Sequence, residues 1–254
     1  MSAREEFLSR FRAEPNQYSN IKKIYAVVSG KGGVGKSLVT ALSAITMQKK
    51  GYNCAILDAD VTGPSIANIF NVDKPLYGAE EGILPKESEL GIKIMSSNLI
   101  VDNPSEAIIW RSPMITGLIK QFYSEVYWGD IDYMFIDLPP GTGDVPLTVF
   151  QSIPLDGIIV VTTPQDMVSM IVEKAIDMAD KMEIPIVGIV ENMSYLICPD
   201  CGKKISLFNS HDILINRYNK IAEIPLDHNL TAACDEGILE DYDNSYMEHL
   251  ADLI

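Results

Sequence analysis

Residues 30–37 read Gly30-Lys31-Gly32-Gly33-Val34-Gly35-Lys36-Ser37, and no other stretch limits the possible folds so tightly. An apolar run of β type, Ile24-Tyr25-Ala26-Val27-Val28, precedes it, and residues 38–50 follow with a helical pattern. Strand, glycine-rich loop and helix in that order, at the spacing G-x-x-x-x-G-K-[ST], make a phosphate-binding P-loop. Glycines let the backbone curl so that successive N–H groups converge on phosphate oxygens. The helix that opens near Lys36 adds about half a positive charge at its N-terminus. Lys36 is expected to reach the β- and γ-phosphates, and the Ser37 hydroxyl to ligate Mg²⁺.

A second lysine, Lys31, stands at the mouth of this loop, where the plain motif asks for none. It reads either as a solvated surface lysine or as a cation that reaches across a dimer to the other subunit's nucleotide, as an arginine finger does in trans.

The rest of the chain supports a parallel sheet. Residues 53–58 form an apolar run ending in Asp58-Ala59-Asp60, with Gly51 placed to cap the preceding helix. Residues 133–137, 157–163 and 185–190 are further continuous apolar runs, with 92–96 a shorter one. Helical patterns occupy 112–128 and about 165–182. Continuous β-branched strands alternating with helices imply an α/β fold, its sheet covered on both faces. Ligands in such sheets bind beyond the carboxyl ends of the strands, where these motifs fall. Residues 71–105 are the least regular stretch. Residues 3–14 read as a short amphipathic helix carrying Phe7, Leu8 and Phe11, ended by Pro15. The expected organisation is therefore an N-terminal extension over 1–20 and one P-loop domain over 21–254, with a cysteine insertion near 193–206.

Three strand-end acids invite roles. Asp137 closes the run 133–137 and suits the Walker B position, holding Mg²⁺ directly or through water. Asp60 lies where a switch loop would orient attacking water, and Asp58 shares that strand end; each also reads as a simple turn or cap residue. Gly141-Thr142-Gly143 gives the following loop freedom to respond to a γ-phosphate.

Cys198-Pro199-Asp200-Cys201-Gly202 is the second candidate site. A Cys-x-x-Cys turn brings two sulfurs to one metal, whereas tetrahedral zinc or a [4Fe–4S] cluster takes four ligands. Of the other cysteines, Cys54 falls in a buried strand and Cys234 stands alone. A two-fold dimer would complete the set on its axis. A half zinc knuckle, a redox pair or unligated thiols remain the alternatives. His211, His228 and His249 show no ligand spacing, Met167, Met170, Met178 and Met182 read as core, and the acidic run 235–243 as a solvated loop.

Composition narrows the partners. With 35 acidic against 20 basic residues and a net charge of −15, broad phosphate neutralisation is disfavoured, so neither nucleic acid nor an anionic membrane is expected. No apolar run reaches the roughly 18 residues of a membrane span, and residues 1–20 lack an apolar signal core. Four cysteines in 254 residues do not make a disulfide framework, which points to a reducing cytoplasm.

The motifs GKGGVGKS, DADVTGPSIANIF, WRSPM, DYMFIDLPPGTGD, VVTTPQ, GIVENMS and CPDCGK, in this order over about 22–240, resemble the Mrp/ApbC family of P-loop proteins. That family comprises ATP-dependent iron–sulfur cluster carriers or scaffolds related to MinD, ParA and nitrogenase iron protein. The resemblance implies a SIMIBI-type P-loop NTPase and a cytosolic homodimer with ATP–Mg²⁺ at each P-loop. It also implies a labile [4Fe–4S] cluster bridging the two subunits, passed on to apo iron–sulfur proteins, with slow ATP hydrolysis as a switch. By the same resemblance Lys31 acts across the dimer, Cys198 and Cys201 hold the cluster, and Asn192 reads adenine with the backbone around Pro225 and Asp227. The chain departs from the family in Ser206-Leu207-Phe208-Asn209-Ser210-His211, where a glycine-rich segment is usual, and in WRSPM and DVPLT for WRGPM and DVQLT. A MinD/ParA-type positioning ATPase shares the nucleotide site, but residues 246–254 contain no Lys or Arg for a basic membrane helix. A dimer stapled by structural zinc and an electron-transfer protein are the other readings.

Overall fold

Strand β1 (Asn20–Ser29) carries the architecture in its side-chain alternation. Ile24, Ala26 and Val28 point into one hydrophobic cluster, Tyr25 and Val27 into another on the opposite face. A strand covered on both sides has no solvent face, hence the unbroken apolar run. The computed structural model describes residues 12–73, 75–100, 112–165, 170–206, 217–243 and 245–254.

After β1 come α1 (Lys36–Lys49), β2 (Cys54–Asp58), α2 (Ile66–Ile69), β3 (Tyr77–Ala79), β4 (Gly82–Leu84), β5 (Lys86–Glu87), β6 (Lys93–Ser96) and α3 (Ser112–Glu125). Then follow β7 (Asp130–Asp137), α4 (Asp144–Ser152), β8 (Gly157–Thr162), α5 (Met170–Lys181), β9 (Ile186–Glu191), β10 (Tyr195–Ile197), β11 (Lys204–Ser206), β12 (Lys220–Glu223) and α6 (His228–Asp235). Eight strands form one sheet in the order β12-β9-β8-β1-β7-β2-β6-β5. It is parallel except for the short edge strand β5, which pairs antiparallel with β6. Hairpins β3–β4 and β10–β11 stand outside it. Helix α1 packs Leu42, Ile45 and Met47 on one face with Ile56 and Phe135; Phe122, Tyr123 and Trp128 fill the other with Ile136 and Val160.

Register sets up the site. Val27 and Asp58 each pair with Asp137 across adjacent strands, and Asp58 also pairs with Ser96. Three strands therefore end level, and their terminal side chains meet beside the loop after β1.

The helix expected over 112–128 stops at Glu125. Tyr127 N–H donates to Ile83 O, and the indole N–H of fully buried Trp128 donates to Phe122 O, so tertiary pairing with β4 overrides the helical pattern. The helix expected from about 165 is seen from Met170; residues 166–169, including Met167, lie outside the described residues. Most of the N-terminal helix also lies outside them, and residues 12–14 are not helical. His211 falls outside, while His228 and His249 are exposed. Met178 and Met182 pack on the core. The acidic run is not simply solvated. Glu240 is buried, accepts from Ser88 Oγ at 2.6 Å and from Leu90 N–H, and its carbonyl accepts from Lys49 Nζ at 2.7 Å.

Candidate nucleotide site and cysteine turn

The P-loop leaves β1 at Ser29 and enters α1 at Lys36. Gly33 and Gly35 have φ of 80° and 83°, a left-handed conformation that a Cβ disfavours. Asn192, just past β9 and buried, donates from Nδ2 to Val34 O at 2.9 Å and packs so closely that a Cβ on Gly35 would lie 2.1 Å from that nitrogen. The loop is thus clamped from behind by the next-but-one strand of the sheet.

Lys36 is buried, its Nζ 2.8 Å from Asp137 Oδ1 and 3.7 Å from Asp60 Oδ2. Ser37 Oγ donates to Asp137 Oδ2 at 2.6 Å, and Thr40 Oγ1 lies 2.8 Å from Asp137 Oδ1. Asp137 therefore gathers the lysine and both hydroxyls, including the Ser37 oxygen and its own carboxylate, hard donors suited to Mg²⁺. No motif singles out Thr40, although its place four residues after Lys36 sets it on the same helix face. Asp60 Oδ1 accepts from Thr62 Oγ1 at 3.1 Å, which holds the turn after β2. Asp58 is wholly buried, accepts from Ser96 Oγ at 2.8 Å and from Asp60 N–H at 3.1 Å. Burial first, and the Asp137 charge second, push its carboxyl up to about 8.

A cavity of about 550 Å³ opens in front of the loop. Lys31, Gly32, Gly33, Gly35, Lys36, Ser37, Asp60 and Asn192 line it, and Pro140 stands in the wall from the segment after β7. Met193, Thr231, Cys234 and Asp235 also line it. The contribution of α6 has no local signal in the sequence, because only the tertiary fold brings that helix against a loop two hundred positions upstream. Gly30 and Val34 belong to the loop backbone. Pro225 and Asp227 lie outside the lining. Asp227 instead caps α6, accepting from Asn229 N–H at 2.8 Å and from Tyr242 O–H at 2.7 Å.

The cysteines sit apart, on the turn joining β10 to β11. Cys198 N–H donates to Lys203 O at 3.0 Å and Gly202 N–H to Cys198 O at 2.9 Å, with Gly202 at φ 70°. The backbone N–H groups of Asp200 and Cys201 face the Cys198 sulfur and hold its thiol below the usual range. Such N–H···S contacts favour the thiolate, the form that binds metal. Cys201 is exposed, and Ile197 and Ile205 beside the turn are exposed as well. No group of three or more His, Cys, Asp or Glu side chains is arranged around a metal among the described residues, so one chain offers this turn as a two-sulfur clip. By contrast Cys54 opens β2, fully buried, with its thiol pushed up to about 12 by burial.

No helix among the described residues is long and apolar enough to cross a membrane. The C-terminal stretch is a short 3-10 turn, Glu248–Asp252, with Met247 and Leu250 buried in the core, so it is not a free amphipathic helix.

A family model described as NUBPL iron-transfer P-loop NTPase, within the ParA group, matches residues 20–254. The iron-sulfur cluster carrier protein of Clostridium perfringens is 42% identical over 238 residues, 89% of this chain and 83% of that protein. That of Pyrococcus horikoshii is 45% identical, over 84% and 77% respectively. A nucleotide-binding protein from Archaeoglobus fulgidus, solved in complex with ADP and with cobalt found, superposes with a TM-score of 0.79 at 42% identity over 90% of this chain and 94% of that one. The cell division ATPase MinD of Pyrococcus furiosus, at 20% identity and a TM-score of 0.63, shares the fold. With the P-loop, the strand-end acids and a match running from β1 to the last residue, this chain belongs to the iron-transfer P-loop NTPases of the NUBPL family.

Proposed function

We propose that this protein is an ATP-dependent iron–sulfur cluster carrier that works in the cytoplasm as a homodimer, holding its cargo between paired cysteine turns and releasing it to apo iron–sulfur proteins. The observation that supports this most is the coexistence in one chain of a phosphate cradle and a turn presenting half of a four-sulfur set. A second copy supplies the other half by two-fold symmetry. Relatives named as cluster carriers are 42% and 45% identical over 89% and 84% of this chain.

At the nucleotide, Ser37 and Asp137 would hold Mg²⁺, which supplies charge neutralisation on the phosphates when bound. Phosphate oxygens compete with Asp137 and Asp60 for the Lys36 ammonium, and Lys36 then stabilises charge on the transferring phosphoryl group. Lys31, at the cavity mouth, serves the nucleotide of the facing subunit. Asp60, placed 3.7 Å from Lys36 Nζ, orients the attacking water. Asn192, Pro225 and Asp227 are assigned to the adenine end; Asn192 alone of these lines the cavity. Hydrolysis is slow, since it resets a switch.

Purification and reconstitution without oxygen, followed by an absorbance spectrum and iron, sulfide and zinc analysis, test the reading. The expected result is broad visible absorption with about two irons and two sulfides per chain, one four-iron cluster per dimer. Colourless protein with zinc alone would make the metal a structural staple. Cys198→Ala should abolish cluster loading while leaving ATP affinity within about twofold; equal loss of both would mean that the cysteines hold up the fold. Lys36→Ala should load a cluster yet fail to deliver it to an apoprotein, and normal delivery without nucleotide would break the coupling.

A further inference from the structure

A single residue, Ser194, separates the lining of the nucleotide cavity from the cysteine hairpin. Asn192 grips the P-loop at Val34 O, Met193 lines the cavity at φ 54°, and Tyr195 already belongs to β10. A resettling of the loop around phosphate that shifts Val34 O is felt at Asn192 through the 2.9 Å bond between them. One arm of the hairpin is therefore joined covalently to the wall of the nucleotide site.

The other arm is tied elsewhere. Lys204 in β11 places Nζ 2.7 Å from Glu223 Oε2 and 3.9 Å from the centre of the Tyr195 ring. Glu223, in edge strand β12, also pairs with Lys220. Lys220 Nζ in turn lies 3.4 Å from Oε2 of buried Glu191, the residue before Asn192. Leu226 N–H donating to Tyr195 O at 2.8 Å and Ser194 N–H to Ile224 O at 3.0 Å stitch the near arm to the same segment. An isolated hairpin with three-residue arms does not hold its own shape in water, so these attachments set the direction of the cysteine turn.

The geometry points to Lys204 as a positioning residue: with Glu223 it is the pivot about which the cysteine hairpin turns when the P-loop closes on phosphate. This rests on the carrier reading for its purpose, though not for its mechanics. A single exposed ion pair is weak, but this one is joined to a second acid–base pair and to an aromatic face at close range. Without it, the far arm would follow a displacement of Asn192 only through its backbone pairing with β10. With it, the displacement becomes a rotation of the whole turn, a discrete change biased by ligand.

The test follows alkylation of Cys198 and Cys201 by mass spectrometry, with and without Mg²⁺ and a non-hydrolysable ATP analogue, at an oligomeric state matched by light scattering. Cys234, in the cavity wall, reports occupancy through its own shielding. In the parent protein nucleotide should change the rate at the Cys198–Cys201 turn by about threefold or more. Lys204→Met should bring that ratio to about one with Cys234 still shielded, and Lys204→Arg should restore it. A merely structural lysine would shift the rates with and without nucleotide alike and leave the ratio standing. A parental ratio retained in Lys204→Met, or no ratio in the parent protein while Cys234 is shielded, overturns the proposal. Failure to load any cluster while the ratio persists would sink the carrier reading and leave the pivot in place.

Discussion

Asp137 concentrates the chemistry of this protein at one carboxylate. Fully buried, it accepts from Lys36 and Ser37 and lies 2.8 Å from the Thr40 hydroxyl, and it faces Asp58 across the strand pair. Two carboxylates so placed cannot both ionise cheaply, and the one without a cation gives way. That is Asp58, raised from 3.8 to about 8. Its folded pKa lies above its unfolded one, so its contribution to stability is whole below about pH 4 and is lost as pH climbs through about 8. In buffer with a chelator, unfolding free energy from urea titration should fall between about pH 4 and 8, by at most about 1.4 kcal/mol per pH unit, and level off above that. Asp58→Asn, which copies the protonated acid, should flatten that slope. An unchanged slope would place the proton on another group.

At the scale of elements, the N-terminus of α1 is both a structural joint and the anion site. Gly35 occupies the left-handed region at φ 83°, and Asn192 fills the space a side chain would need. Gly35→Ala therefore combines a backbone cost of roughly 1–2 kcal/mol with loss of the Asn192–Val34 bond. Calorimetry should show ATP affinity down by about tenfold or more, with a lower melting temperature. Unaltered affinity would mean that the loop tolerates a second conformation. The same clamp explains the continuity between P-loop and β9: the strand ends where its next side chain is needed behind the loop.

For the whole molecule, the proposed carrier reading needs a second copy, because the cysteine turn of one chain offers two sulfurs where a four-ligand site takes four. With Mg²⁺ and a non-hydrolysable ATP analogue, light scattering should therefore rise from the 28.1 kDa of one chain to about double. A mass that stays at one chain at saturating nucleotide would end the dimeric reading, and with it the four-sulfur site.

How much was legible beforehand follows from the range of the forces involved. The P-loop, the apolar strands and the Cys-x-x-Cys turn are local patterns, whose spacing states their geometry, and the sequence alone determined the α/β class and the central acid Asp137. What lay beyond it depended on partners far along the chain. Trp128 left its helical register for a hydrogen bond within the core, Glu240 turned inward to Ser88, and β12 joined the sheet edge with only four residues. Thr231 and Cys234 entered the nucleotide wall because α6 packs there. Nor does any spacing foretell that Lys204 meets Glu223, or that Asn192 braces the loop from behind. Local periodicity reports which face of an element is apolar; which other element covers it is decided by packing the whole chain at once.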